Sequence, residues 1–171
     1  MASTPPSVYV LDTNVFVEAH KRYYAFPLCP GYWQCLPYYF TAGRILSIDK
    51  VRAEILPGDA LHEWVANTCP SGLFDSTSTV QIAAEFAKIM AWANANTQFT
   101  PTARAVFAAA ADGWLVAYAK VKNCVVVTHE EFAPQAKARI MLPNVCRQMG
   151  VGYLDTFAML KDLKATFNWS A

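Results

Sequence analysis

Apolar residues along this chain fall into two kinds of pattern. Four short continuous runs, Val8–Leu11, Ile45–Ile48, Cys124–Thr128 and Val151–Leu154, have the length and β-branched content of strands buried on both faces. Between them the spacing turns helical. Asp49 is placed to N-cap a helix over Lys50–Leu56, which Pro57-Gly58 stops. Ala60–Asn67 and Val80–Asn94 read as helices, the second with Val80, Ala83, Ala84, Ala87, Met90 and Ala91 on one stripe. Pro101 opens an alanine-rich helix, Asp112 starts another that runs to about Lys122, and Thr156–Leu163 forms the last. The aromatic surplus in Tyr32–Phe40, interrupted by Pro37, is expected as a greasy helix or edge covered by another chain.

Buried strands alternating with helices predict an α/β fold in three layers, α/β/α. Its central, mainly parallel sheet would have four to five strands joined by right-handed crossovers. A chain of 171 residues is expected to fold as one domain spanning 1–171. The net charge of +1 gives no global attraction to polyanions, so any nucleic-acid contact must rest on local patches. Five cysteines make an odd set, and His20, Cys29 and Cys35 have a poor chelate spacing. With no apolar leader in Met1–Ser7, free thiols in a reducing cytoplasm are the expectation. No apolar run approaches the roughly 20 residues that span a bilayer, so no membrane partner is expected.

The first run ends abruptly in Asp12-Thr13-Asn14, and in open α/β sheets ligands gather at the carboxyl ends of strands. Three further acids occupy comparable places. Glu54 lies a turn into the helix after the second run, Asp112 at a helix start, and Glu130 just past the third run. Acids at helix starts are favoured by capping alone, worth about 0.3–1 kcal/mol each. Asp12 is the least ordinary of the four, because it abuts a buried strand. If the acids share a pocket, two unit charges ~4 Å apart repel by ~4 kcal/mol at an effective dielectric near 20. Hard oxygen donors relieved by a cation suit Mg²⁺ or Mn²⁺, which can activate water for phosphoryl transfer.

The segments carrying these acids resemble the PIN-domain family of metal-dependent nucleases. LDTN is similar to that family's first motif, VRAEIL to its mid-chain helical Glu, ADGWLVAYA to its Asp-led helix, and VVVTHE to its last motif. The likeness covers nearly the whole chain, in order and separation. The phrase VFVEAHKRYYAFPLCPGYW, with SIDKVRAEI and VVTHE, is closer still to one bacterial and archaeal branch of PIN-like proteins. The resemblance implies an endoribonuclease, the toxin of a type II toxin–antitoxin pair, with an antitoxin and a second copy as partners. It carries over Asp12, Glu54, Asp112 and Glu130 as catalytic carboxylates, with Asp12, Asp112 and Glu130 as metal ligands. Two departures stand out. Glu130 is a methylene longer than the usual Asp, and Gly113 replaces a more common Pro, loosening the first turn under Asp112.

For substrate contacts, Asn14 and Thr128 lie beside the acids. Lys21 and Arg22 belong to HKRYYAF, whose interleaved basic and aromatic residues can neutralise phosphates and stack bases. Tyr23, Tyr24 and Phe26 weigh more heavily as core or interface aromatics. Glu18 either borders the pocket or pairs with Arg22, and His129 reads as a surface or supporting group rather than a base. The main rival is a catalytically silent PIN-like module that binds RNA or protein. An acid-dependent phosphatase is disfavoured because Asn14 stands where its second Asp would be.

Overall fold

A computed structural model describes residues 6–168 of the chain. The N-terminal stretch read as lacking a leader lies, through Pro5, outside the described residues. All the strands of the central sheet run parallel, in the order β3-β2-β1-β4-β5. They are β1 (Tyr9–Leu11), β2 (Ile45–Ile48), β3 (Phe74–Asp75), β4 (Val125–Val127) and β5 (Tyr153–Leu154). Helices α1 (Thr13–Glu18), α2 (Pro30–Thr41), α3 (Asp49–Glu54) and α4 (Ala60–Asn67) precede β3. Helices α5 (Val80–Ala95), α6 (Pro101–Ala109), α7 (Asp112–Lys122), α8 (Leu142–Met149) and α9 (Thr156–Asp162) complete the layers. The architecture is therefore the three-layer α/β/α fold that the alternation predicts.

Strand order follows from handedness. The chain steps outward from β1 to β2 and β3, and the right-handed crossover rule puts the connecting helices, α2 and α4 among them, on one face. The chain then returns past β1 to β4 and β5, placing α5, α7 and α8 on the other, where α7 packs on both α5 and α8. The direction reverses between β1 and β4, so their carboxyl ends diverge around a crevice. β1 is the central strand and is buried throughout, with every residue covered on both faces.

Among the described residues, four of the five strands and six of the nine α-helices begin within two residues of the expected positions. β3 is an addition, a two-residue strand too short to show periodicity. Asp49 is the first residue of α3 rather than its cap, and it ties that helix to Thr77 by a 2.8 Å hydrogen bond. Asp155 is the N-cap of α9, accepting from Ala158 N at 2.7 Å.

The buried stripe of α5 is corrected. Val80 is 83% exposed, and Ala83, Ala84, Ala87 and Ala91 also face outward. The core takes Ile82, Ile89 and Ala93 instead, with Phe86 half-buried beside them. Methyl side chains offer little area to bury, and the larger residues one position round win the inward face. The aromatic segment is likewise corrected. It forms α2, whose Tyr32, Trp33 and Leu36 are covered by this chain's own core. Of that segment Tyr38 stands 68% exposed. Among the described residues, no helix is long and apolar enough to cross a membrane.

Gly113 does not loosen α7. A Cβ there would meet Phe86 Cε2 at 2.9 Å and Phe107 Cζ at 3.4 Å, and Phe86 is itself stacked on Trp114 at 3.9 Å. Close packing, not flexibility, holds glycine at this position. Gly113→Ala is expected to lose stability by about 1–2 kcal/mol, overpacking at ~1–3 kcal/mol outweighing a helix-propensity gain of up to ~1 kcal/mol. Urea melts of the two proteins measure the difference, and a more stable variant would show that the Phe86 ring moves aside freely.

Candidate functional site

A cavity of about 350 Å³ opens at the crevice between β1 and β4. Asp12, Glu54, Asp112 and Glu130 all line it, although they come from four separate stretches of chain. Thr13, Asn14 and Arg139 complete its polar wall, and Val17, Val106, Phe107 and Ile140 contribute an apolar one.

Asp12 follows β1 directly and is held in the sheet by Asp12 N donating to Val127 O at 3.0 Å. Its carboxylate is only 4% exposed. Oδ1 accepts from Thr13 N at 2.7 Å, making Asp12 the N-cap of α1, and Oδ2 accepts from the buried Thr128 hydroxyl at 2.8 Å. Those two donors favour the charged form. Burial opposes it more strongly, and the charges of Asp112 and Glu130 add repulsion, so Asp12 titrates well above the usual carboxylate range. Asp112 opens α7 and is pushed up to about 7, chiefly by burial, then by Glu130 and Glu54. Arg139 acts in the opposite direction, favouring the ionised Asp112.

The two glutamates are differently employed. Glu54, the last residue of α3, accepts from the Thr13 hydroxyl and, at 2.8 Å, from Ala111 N. It thus fastens the starts of α1 and α7 to the end of α3. Glu130 accepts Leu142 N at 2.7 Å, satisfying the first amide of α8, and forms an ion pair with Arg139. Each of its oxygens has one such partner, as each oxygen of Asp12 does, so Glu130 shapes the site and keeps lone pairs for a water or a cation.

The expected substrate contacts divide. Asn14 lines the cavity, but its amide donates to Thr128 Oγ1 at 3.0 Å and accepts from His129 N at 3.0 Å. Asn14 is a brace between the ends of β1 and β4. Thr128 is buried and is corrected from a substrate contact to the donor that orients Asp12. Lys21 and Arg22 do not line the cavity; they lie on a π-helical turn, Ala19–Tyr23, continuing α1, and Arg22 pairs with Glu18 at 3.1 Å. That ion pair also accounts for Glu18. Tyr24 stacks on Tyr32 and Phe26 on Trp33, both in the aromatic core, while Tyr23 meets His129 and Phe157 at a neighbouring cavity. His129 lines that cavity rather than the acidic one and lies 2.9 Å from Thr156 Oγ1.

Arg139 escaped the sequence reading. It sits in irregular chain between β4 and α8, with no periodic pattern to aim it, and nine residues separate it from the glutamate it meets. Among the described residues, no group of three or more His, Cys, Asp or Glu side chains is gathered so as to hold a metal ion.

The chain matches, over residues 9–167, the family described as Domain of unknown function (DUF4411). No curated protein and no solved structure matches it.

Raised carboxylate pKa values fix the sign of a pH effect. A folded Asp112 at about 7 binds its proton more tightly than an unfolded one near 3.8, so stability falls as pH rises between those values. Asp112→Asn is therefore expected to stabilise the metal-free protein at pH 8, by at most about 4 kcal/mol at ~1.4 kcal/mol per pKa unit. The gain shrinks toward pH 4, where the wild-type acid is neutral. Thermal melts in chelator across this range test it; a variant equally or less stable at pH 8 would show that the burden lies elsewhere.

Proposed function

Since the chain belongs to the DUF4411 family, whose description carries no activity, we propose from its cavity that it is a metal-dependent endoribonuclease. The observation that carries this reading is the convergence of Asp12, Glu54, Asp112 and Glu130 on one cavity at the switch point of a parallel sheet. The likeness of the four acidic motifs to PIN nucleases supports the same chemistry. By that likeness the protein is the cytoplasmic toxin of a type II pair, works as a homodimer and is blocked by an antitoxin.

The donor set fits a hard divalent cation. It offers carboxylate oxygens, and those of buried Asp12 and half-buried Asp112 resist ionisation through desolvation and neighbouring carboxylates, which positive charge would relieve. Mg²⁺ commonly takes one or two carboxylates and keeps several waters, so the Asp12 and Asp112 pair suffices. When bound, Mg²⁺ or Mn²⁺ would lower the pKa of water and neutralise charge on a phosphoryl group.

Each residue then has a task. Asp12, aimed by Thr128 and Thr13, and Asp112, at the start of α7, hold the cation. Glu54 keeps the starts of α1 and α7 in register and offers its carboxylate to the attacking water's proton. Glu130 secures α8 and Arg139 at the rim. Val106, Phe107 and Ile140 line the same cavity with apolar side chains.

A silent RNA- or protein-binding module is the second reading, favoured by Glu130, which is a methylene longer than the Asp of the motif it resembles and is tied to Arg139 and Leu142 N. One assay separates the two. Purified protein incubated with mixed single-stranded RNAs is expected to cleave them with Mg²⁺ or Mn²⁺ and to stop in chelator. Asp12→Asn, nearly constant in shape, is expected to cut the rate by about 100-fold or more, as when one preorganised electrostatic group is removed. RNA binding without cleavage selects the silent module. Undiminished cleavage by folded Asp12→Asn removes Asp12 from the mechanism.

A further inference from the structure

Among the described residues, Arg139 is the only cationic side chain that lines the acidic cavity. An anionic substrate approaching four carboxylates needs a counterweight, and Lys21 and Arg22 do not line this cavity. Arg139 is well placed to supply it. Its side chain is 65% exposed, whereas its partner Glu130 is 9% exposed and fixed by Leu142 N. One guanidinium nitrogen, Nη2, meets Glu130 Oε1. A guanidinium carries five N–H donors in a planar fork, so donors remain for a second anion.

The backbone under Arg139 is irregular but anchored from several sides. Asn144 exchanges hydrogen bonds with both the N–H and the carbonyl of Ala133, at 3.0 and 2.7 Å. Gln98 donates to Pro134 O and Ala136 O at 2.9 and 2.7 Å, and Thr100 N donates to Lys137 O at 3.0 Å. Immediately after Arg139, Ile140 is buried in the core. The arginine is therefore presented by a braced segment, which lowers the cost of immobilising it on a ligand.

Resting on the nuclease reading, we propose that Arg139 is the phosphate-binding residue of this site. Its free donors take the non-bridging oxygens of an RNA phosphodiester and set that phosphate beside Asp12 and Asp112. The ion pair with Glu130 positions the guanidinium, and the apolar wall of Val106, Phe107 and Ile140 accommodates the attached nucleoside. The cavity, at about 350 Å³, has room for more than a phosphate alone.

The test is binding without turnover. A fluorescein-labelled single-stranded RNA oligonucleotide is titrated with full-length wild type, Arg139→Gln and Arg139→Lys in chelator, at several salt concentrations, with anisotropy as the readout. Arg139→Gln is expected to weaken binding about tenfold and to flatten the log Kd against log salt slope by about 0.7, one phosphate contact on a single strand. Arg139→Lys is expected to keep the slope while losing affinity, because the charge remains and the fork does not. Melting curves of the variants confirm that each is folded.

Wild type and Arg139→Gln binding with equal affinity and slope would make Arg139 a structural partner of Glu130 and overturn the proposal. Absence of wild-type binding in chelator overturns it too. In both cases the metal-dependent cleavage assay with Asp12→Asn decides separately whether the nuclease reading stands.

Discussion

Asp12 sets the terms for this molecule. It follows the central strand of a sheet covered on both faces, and there the residue keeps only 4% of its surface exposed. Thr13 N–H and the Thr128 hydroxyl reach it, yet they do not compensate for burial and for the neighbouring charges of Asp112 and Glu130. A fold selected for stability alone would favour an amide here, which keeps the shape and sheds the charge. The chain instead surrounds the acid with more acids, each delivered by a different element. Such an arrangement is costly until positive charge arrives, and that is the physical content of the site.

Side-chain length divides the labour among the four. Asp12 and Asp112 are short and sit where their elements begin or end; both line the cavity, and Asp12 is held by its near neighbours Thr13 N and the Thr128 hydroxyl. Glu54 and Glu130 are a methylene longer and use it to satisfy amides at helix starts, Ala111 N and Leu142 N. This gives a reason for Glu130 where the motifs it resembles carry Asp. From this backbone position the shorter side chain would give up a methylene of the reach that links Leu142 N and Arg139. Capping and function are therefore not rival explanations at these positions. The same carboxylates that fasten α7 and α8 also bring the pair of aspartates to one crevice.

Much of this was legible in the sequence because it rests on strong local signals. Continuous runs such as Val8–Leu11 have few alternatives to a buried strand, and an acid following one directly is conspicuous. The order of helices and runs then determines a parallel sheet whose crevice gathers the acids. What stayed hidden depends on contacts between distant residues. β3 has two residues and exists through pairing with β2. The alanines of α5 imitate a core stripe, but Ile82, Phe86 and Ile89 outcompete them for the interior. Gly113 looked like slack in a helix until the Phe86 ring against it was visible.

The basic residues show the same limit most sharply. Lys21 and Arg22 stand in a suggestive aromatic and basic phrase, but the π-helical turn that carries them leaves them off the cavity wall. Arg139 lies in a phrase without any pattern and is delivered to the rim by Asn144, Gln98 and Thr100, residues of other elements. A charge matters by where its backbone is anchored, and anchoring of an irregular segment is written across the whole chain rather than beside the residue. Among the described residues, that anchoring brings the one cationic side chain of the cavity lining, paired with Glu130, into the company of Asp12, Glu54 and Asp112. On the proposed reading, that exposed guanidinium is what offsets the acids for an approaching phosphate.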